Sequence, residues 1–245
     1  IIGSSAAQVN LLFNTLIASF LAAGSISWIY YSDRLLEFPV GVFGVALSTV
    51  VLPNLSSKSA GQNQAQFRSI VQWGIRIAFL VSVPAATGLY ILSGPLIATI
   101  FLGGNFNIHD LYMTQYSLMA YAFGLIGLSM VLILASAYYA KQNTKTPVKF
   151  GLIAMATNAS LSILFVTTLV LNNSPYPHMG LSLAFSCSTL LNAFLLFRGL
   201  IRERQIKVDR EEVAFLIRIV VATGAMVMLL VIFNPELPVW LEQSL

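Results

Sequence analysis

Seven mostly apolar runs follow one another along this chain, at 5–28, 31–55, 70–92, 112–139, 148–171, 179–200 and 212–233. A helix rising about 1.5 Å per residue needs about 20 apolar residues to cross a bilayer core, and each run is about that long. They are too long and too continuously apolar for the alternating strands of a membrane barrel, about ten residues each. The breaks are short and polar or rich in Gly and Pro: "SSKSAGQNQAQ" (56–66), "GGNFNIHD" (103–110), "KQNTKTP" (141–147), "NNSPYPH" (172–178) and "RERQIKVDREE" (202–212). Charged residues make up only 9% of the chain, against about 25% in soluble domains. The expected fold is therefore an all-α, polytopic membrane bundle of about seven transmembrane helices.

The basic residues are distributed unevenly. Lys58, Arg68, Arg76, Lys141, Lys145, Lys149, Arg198, Arg202, Arg204, Lys207, Arg210 and Arg218 fall at alternate ends of successive runs. The other loops, at 24–30, 102–111 and 172–178, hold no Lys or Arg. By the positive-inside rule the basic loops 56–69, 140–149 and 198–211 are cytoplasmic, and the first run leads from inside to outside. The net charge of +4 is thereby accounted for by topology, and no nucleic-acid partner is expected. Cys187 is the only cysteine, which excludes an intrachain disulfide and a Cys-based metal site. No metal or cofactor is expected. The chain opens directly into an apolar run, with neither a basic signal-peptide region nor an initiating Met, and is expected to be part of a larger protein.

Arg34, the thirteenth basic residue, breaks the pattern. It lies in "YYSDRLLEFPVG" (30–41), at the outer end of the second run. From Phe38 to Leu55 the run is apolar, and 18 residues cover about 27 Å. Arg34 stands one turn outside that stretch, and two readings are open. It can be an interfacial residue, snorkelling outward and paired with Glu37 at i+3. Alternatively it faces a water-filled cavity on a substrate path, where its guanidinium fork suits phosphate oxygens. Asp33 and Glu37 share one helix face as like charges, and Arg34 is the only local cation. Pro39 is expected to kink or relax the helix just below, and Gly41, Gly44 and Ser48 form a small-residue packing stripe. Trp28, Tyr30 and Tyr31 read as an outer aromatic belt. His109 beside Asp110 reads as an ordinary loop pair. Arg68 and Arg76 read as interface anchors, and "RERQIKVDREE" as a solvated connector.

Several stretches, spread in order over the whole chain, closely resemble the MurJ (MviN) lipid II flippase family of the MOP exporter superfamily. They are "ASFLAAGSISWIYYSDRLLEFPVGVFGVALSTVVLPNLS" (18–56), "WGIRIAFLVSVPAATGLYILSGPLI" (73–97), "YAFGLIGL" (121–128), "YYAKQNTKTPVK" (138–149) and "MGLSLAFS" (179–186). The family plan has two six-helix lobes and a final helix pair, and the seven runs look like its helices seven to thirteen. The resemblance thus implies a second transporter lobe at 1–203, followed at 204–245 by a connector and one helix of an incomplete final pair. It implies transport of lipid II from the inner to the outer leaflet of the bacterial inner membrane, by alternating access with an N-terminal lobe and among membrane phospholipids. Arg34 matches the family's cavity arginine, with Asp33 and Glu37 beside it as substrate-binding candidates. Gly24, Ser25 and Ser27 match its outer-gate turn. Some members bind sodium between helices seven, eleven and twelve; here Asn14, Asn158, Thr189 and Asn192 stand in those helices without an acid, as an ion-site or helix-packing cluster. The family's tenth-helix lysine and Pro-Gly pair are replaced by Leu132, Ser136 and Ala137. Another MOP exporter or a polysaccharide-lipid flippase is the alternative. An intramembrane enzyme lacks paired acids, a Ser/His arrangement or metal ligands within the runs.

Overall fold

The structure, a computed structural model, describes residues 2–45, 49, 51, 53–55, 64–203, 206 and 210–233. Eight α-helices carry the described chain: α1 (Ile2–Ser19), α2 (Ser25–Pro39), α3 (Gln64–Ile91), α4 (Ser93–Phe101), α5 (Ile108–Ala140), α6 (Lys145–Leu171), α7 (Met179–Arg202) and α8 (Arg210–Phe233). Five of them, α3 and α5 to α8, are long and apolar enough to cross a membrane. The protein is a helical membrane bundle.

Three boundaries differ from the sequence expectation. The first run does not continue to 28: α1 stops at Ser19 and a turn occupies 20–24. The second helix begins at Ser25 rather than 31. Its first turns carry Trp28 and Ser32, which lower the local hydropathy but find partners on α5. Between the third and fourth runs, where 96–110 reads as an amphipathic end and a turn, the short helix α4 stands. Pro39 closes α2, and a π-helical turn follows over Val40–Val45. A proline removes one backbone donor and crowds the preceding turn, so the widened turn is the relaxation expected there. Within the small-residue stripe, Gly44 is buried against Leu132 of α5, Gly41 faces open space, and Ser48 lies outside the described residues.

The central helix is α5, which packs on α2, α3, α4 and α7; α6 joins α7 to α1, and α8 packs on α3. The α5–α7 crossing is close because Gly124 and Gly127 face it. A Cβ on Gly127 would stand 2.8 Å from the Leu190 backbone nitrogen. The Ser186 hydroxyl donates to the Ala120 carbonyl across the same crossing, at 2.7 Å. At the basic end, Leu55, Phe67, Val71, Ile133, Leu134 and Leu196 form the largest apolar core around Tyr138, whose hydroxyl donates to the Leu196 carbonyl at 3.2 Å. The described ends of the connector are tied to the bundle. Glu203 pairs with Lys141 at 2.8 Å, and Glu212 takes both Nε and Nη2 of Arg76, at 3.0 and 2.8 Å. Arg76 therefore clamps α8 onto α3.

Candidate functional site

The candidate site lies on α2, which presents two different faces. Ser25, Trp28, Ser32 and Leu36 recur at helical spacing and are buried. The Ser32 hydroxyl bridges the Trp28 carbonyl at 2.7 Å and the Thr114 carbonyl of α5 at 2.9 Å. Trp28 is buried, not part of an exposed belt, because its indole N–H finds a buried-end partner: Nε1 donates to Asp110 Oδ1 at 2.8 Å. The other Asp110 oxygen accepts the Asn107 N–H at 3.0 Å, and Asn107 Oδ1 accepts the Asp110 N–H at 3.1 Å, a reciprocal cap on α5. That use of the Asp110 carboxylate explains why His109 and Asp110 form no catalytic pair. The Trp28 ring also packs on His109 and His178, with centroids 5.6 and 5.0 Å apart.

His178 caps α7 and is fully buried. Its Nε2 lies 2.9 Å from the Met113 carbonyl, and its Nδ1 has no partner among the described residues. Burial pushes its pKa below the ordinary value, the Met113 carbonyl opposes the shift, and nearby His109 adds to it. The imidazole is thus held neutral, as an Nε2–H donor. Gly24 sets the turn above it. Its φ of +101° favours glycine, and a Cβ there would stand 2.6 Å from the Trp28 ring. Ser25 is buried behind this turn, and Ser27 is exposed.

The opposite face of α2 opens onto a cavity of about 310 Å³. Asp33, Arg34 and Tyr30 line it from α2, Asn10, Asn14 and Thr15 from α1, Tyr121 from α5 and Phe185 from α7. Arg34 fits both sequence readings at once. Its Nη1 is 2.6 Å from Glu37 Oε2, the i+3 pair, and its guanidinium lies 4.8 Å from the Tyr30 ring centroid while lining the cavity. Both side chains of the pair are about half exposed, 51% and 54%. Glu37 does not line the cavity; it holds Arg34 from one side. An exposed pair of this kind is worth at most about 1 kcal/mol.

The four polar residues expected as one cluster divide into two groups. The Ser162 hydroxyl lies 2.9 Å from Asn158 Oδ1 and 3.3 Å from Asn14 Oδ1, joining α6 to α1. Thr189 and Asn192 lie elsewhere, with Asn10, around a second cavity toward the basic end. Ser162 was not singled out from the sequence, although it stands four residues after Asn158 on the same helix face. Tyr30 carried a similar signal, four residues before Arg34. The Trp28–Asp110 contact spans 82 residues, and nothing in the sequence spacing announces it.

A sequence model described as "Lipid II flippase MurJ" matches residues 1–241. The chain is 42% identical to "Probable lipid II flippase MurJ" of Haemophilus influenzae over 248 aligned positions, covering 99% of this chain and 47% of that protein. It is 39% identical to "Lipid II flippase MurJ" of Burkholderia cenocepacia, covering 80% of this chain and 37% of that one. Among solved structures, "Lipid II flippase MurJ, inward closed conformation" superposes with a TM-score of 0.80 at 25% identity, over 99% of this chain and 49% of that chain. The chain spans about half the length of the curated relatives it matches.

Proposed function

This chain belongs to the lipid II flippase MurJ family, and from that premise we propose that it forms half of a transporter that moves lipid II across the bacterial cytoplasmic membrane. In this reading residues 1–203 are the second lobe. The segment 204–245 is a connector with one helix of a final pair. The basic loops 56–69, 140–149 and 198–211 face the cytoplasm among anionic phospholipid headgroups, and α2 begins at the outer surface.

The observation that carries the proposal is Arg34: a guanidinium lining a cavity at the outer end of a membrane bundle, held by one exposed carboxylate. A diphosphate presents paired anionic oxygens that match the guanidinium fork. Binding it would draw Arg34 from Glu37 toward the cavity. Asp33, Arg34 and Glu37 together carry one net negative charge, so this wall alone would repel a diphosphate. Further cations are therefore assigned to the other lobe, and Arg34 supplies the orienting contact. The turn at Gly24, Ser25 and Ser27 closes the outer end as the lobes alternate. Asn14, Asn158 and Ser162 serve as a hydrogen-bonded tie between helices, since the cluster is neutral and its oxygens are engaged with one another. Charge movement during the cycle couples to membrane potential at about 2.3 kcal/mol per charge per 100 mV.

The test is rescue of cells depleted of their own flippase by the full-length parent carrying Arg34→Ala or Arg34→Lys, with lipid II in the outer leaflet as the readout. Arg34→Ala is expected to express and fail, and Arg34→Lys to retain part of the activity. Full rescue by both would remove Arg34 from the transport path.

A further inference from the structure

The second cavity is chemically unlike the first. It has a volume of about 310 Å³ and lies between α5 and α6 over α7, in the half of the bundle nearer the basic end. Ligand pockets begin at about this size, and a liquid water occupies about 30 Å³. Its walls are apolar, and no Asp, Glu, Lys or Arg is among the described residues that line it. Its polar groups are neutral: Asn10, Ser188, Thr189, Asn192 and Tyr139.

These groups offer both acceptors and donors: each carboxamide carries two N–H and Tyr139 an O–H. The Ser188 and Thr189 hydroxyls both spend their protons on the Phe185 carbonyl, at 2.8 and 2.7 Å, which leaves their oxygens as acceptors. The carboxamide oxygens of Asn10 and Asn192 are buried without a partner among the described residues. Each such acceptor costs about 1–3 kcal/mol while it stays unsatisfied. A bare monovalent cation would leave most of so wide a cavity unfilled, because oxygen ligands must close to about 2.5 Å around an ion. A neutral group carrying several O–H or N–H donors on an apolar frame fits better, and that is the chemistry of an N-acylated sugar.

Position supports the same ligand. Asn10 and Phe185 line both cavities, so the neutral one abuts the one that holds Arg34. From Phe185 to Asn192 the floor extends about 10 Å along α7. A ligand whose anionic group meets Arg34 can lay its next, uncharged group along this floor. We propose that the neutral cavity is the subsite for the glycan attached to the substrate's diphosphate, an inference that rests on the reading of Arg34 as the diphosphate contact. The Asn192 and Asn10 carboxamides turn to pair with the sugar hydroxyls and the N-acyl group, and Phe185 separates the charged and neutral parts.

The test uses the purified full-length parent and two lipid probes, undecaprenyl pyrophosphate without a glycan and lipid II with it, with binding measured by native mass spectrometry. Gly151 lines the cavity and has open space where a Cβ would go, so Gly151→Phe introduces a bulky side chain at the subsite wall whose first carbon meets no neighbour. Asn192→Leu removes one carboxamide at constant volume. Each variant is expected to weaken lipid II binding at least fivefold while leaving undecaprenyl pyrophosphate within twofold of wild type. Wild-type lipid II affinity in Gly151→Phe, or an equal loss for both lipids, would overturn the glycan subsite. Arg34→Ala is expected to weaken both lipids; if it weakens neither, the diphosphate reading fails, and the Gly151→Phe result still judges the glycan subsite on its own.

Discussion

The two faces of α2 are built on opposite principles. The back face is over-determined: Trp28 is held by a hydrogen bond to Asp110 and by two imidazole rings, Ser32 by two carbonyls, and Leu36 by the core around Tyr121 and Leu125. The front face carries Tyr30, Arg34 and Glu37, which touch chiefly one another and remain exposed. A charge on the front can therefore change partners without cost to the fold, because the back alone sets the helix in place.

This contrast can be broken from either side. The largest effect is expected on the back, where Trp28→Ala removes a buried aromatic and should destabilise the bundle by about 3–5 kcal/mol, read as a lowered thermal midpoint of the purified full-length protein. An unchanged midpoint would mean that the corner does not hold α2. Trp28→Phe keeps most of the ring but strands the Asp110 oxygen, and about 1–3 kcal/mol should be lost in the same measurement.

Acid should act on the same corner more mildly. The folded state holds His178 neutral, with its pKa below the ordinary value near 6.5. Above that value the group is neutral folded or unfolded and pH has no leverage. As pH falls through it the unfolded chain takes up the proton first, so stability declines until the lowered folded pKa is passed. His178→Asn should flatten that part of the profile, and an identical profile in wild type and variant would exclude His178. The smallest stability change is expected on the front. Arg34→Ala and Glu37→Gln should each alter stability by less than about 1 kcal/mol, while Arg34→Ala abolishes lipid II transport. A large loss of midpoint in either would show that the front face is structural after all.

Much of the scaffold was legible because membrane helices declare themselves by length. Five of the seven apolar runs match helices α3 and α5 to α8 to within six residues at either end. The first two runs differ from the helices at their shared outer turn, because Trp28 reads as interfacial when considered without the partners that bury it. The short helix α4 was not legible because its nine residues are too few to declare a membrane span by length. At the site, the Arg34–Glu37 pair followed from i+3 spacing. The division of the amide residues into a tie at Asn158 and a neutral cavity at Asn192 did not, since it depends on which face of α6 meets α1. The clamp from Arg76 to Glu212 was equally hidden, joining residues 136 positions apart.

The most direct measurement of the central claim is photocrosslinking in the full-length parent, with a photoreactive phenylalanine derivative in place of Tyr30 and radiolabelled lipid II as the probe. The account predicts a lipid II adduct from the Tyr30 position that disappears on Arg34→Ala, and none from the same derivative at Ile163, exposed on α6 away from the cavity. An adduct of equal yield at both positions, or one at Tyr30 that persists without Arg34, would contradict it.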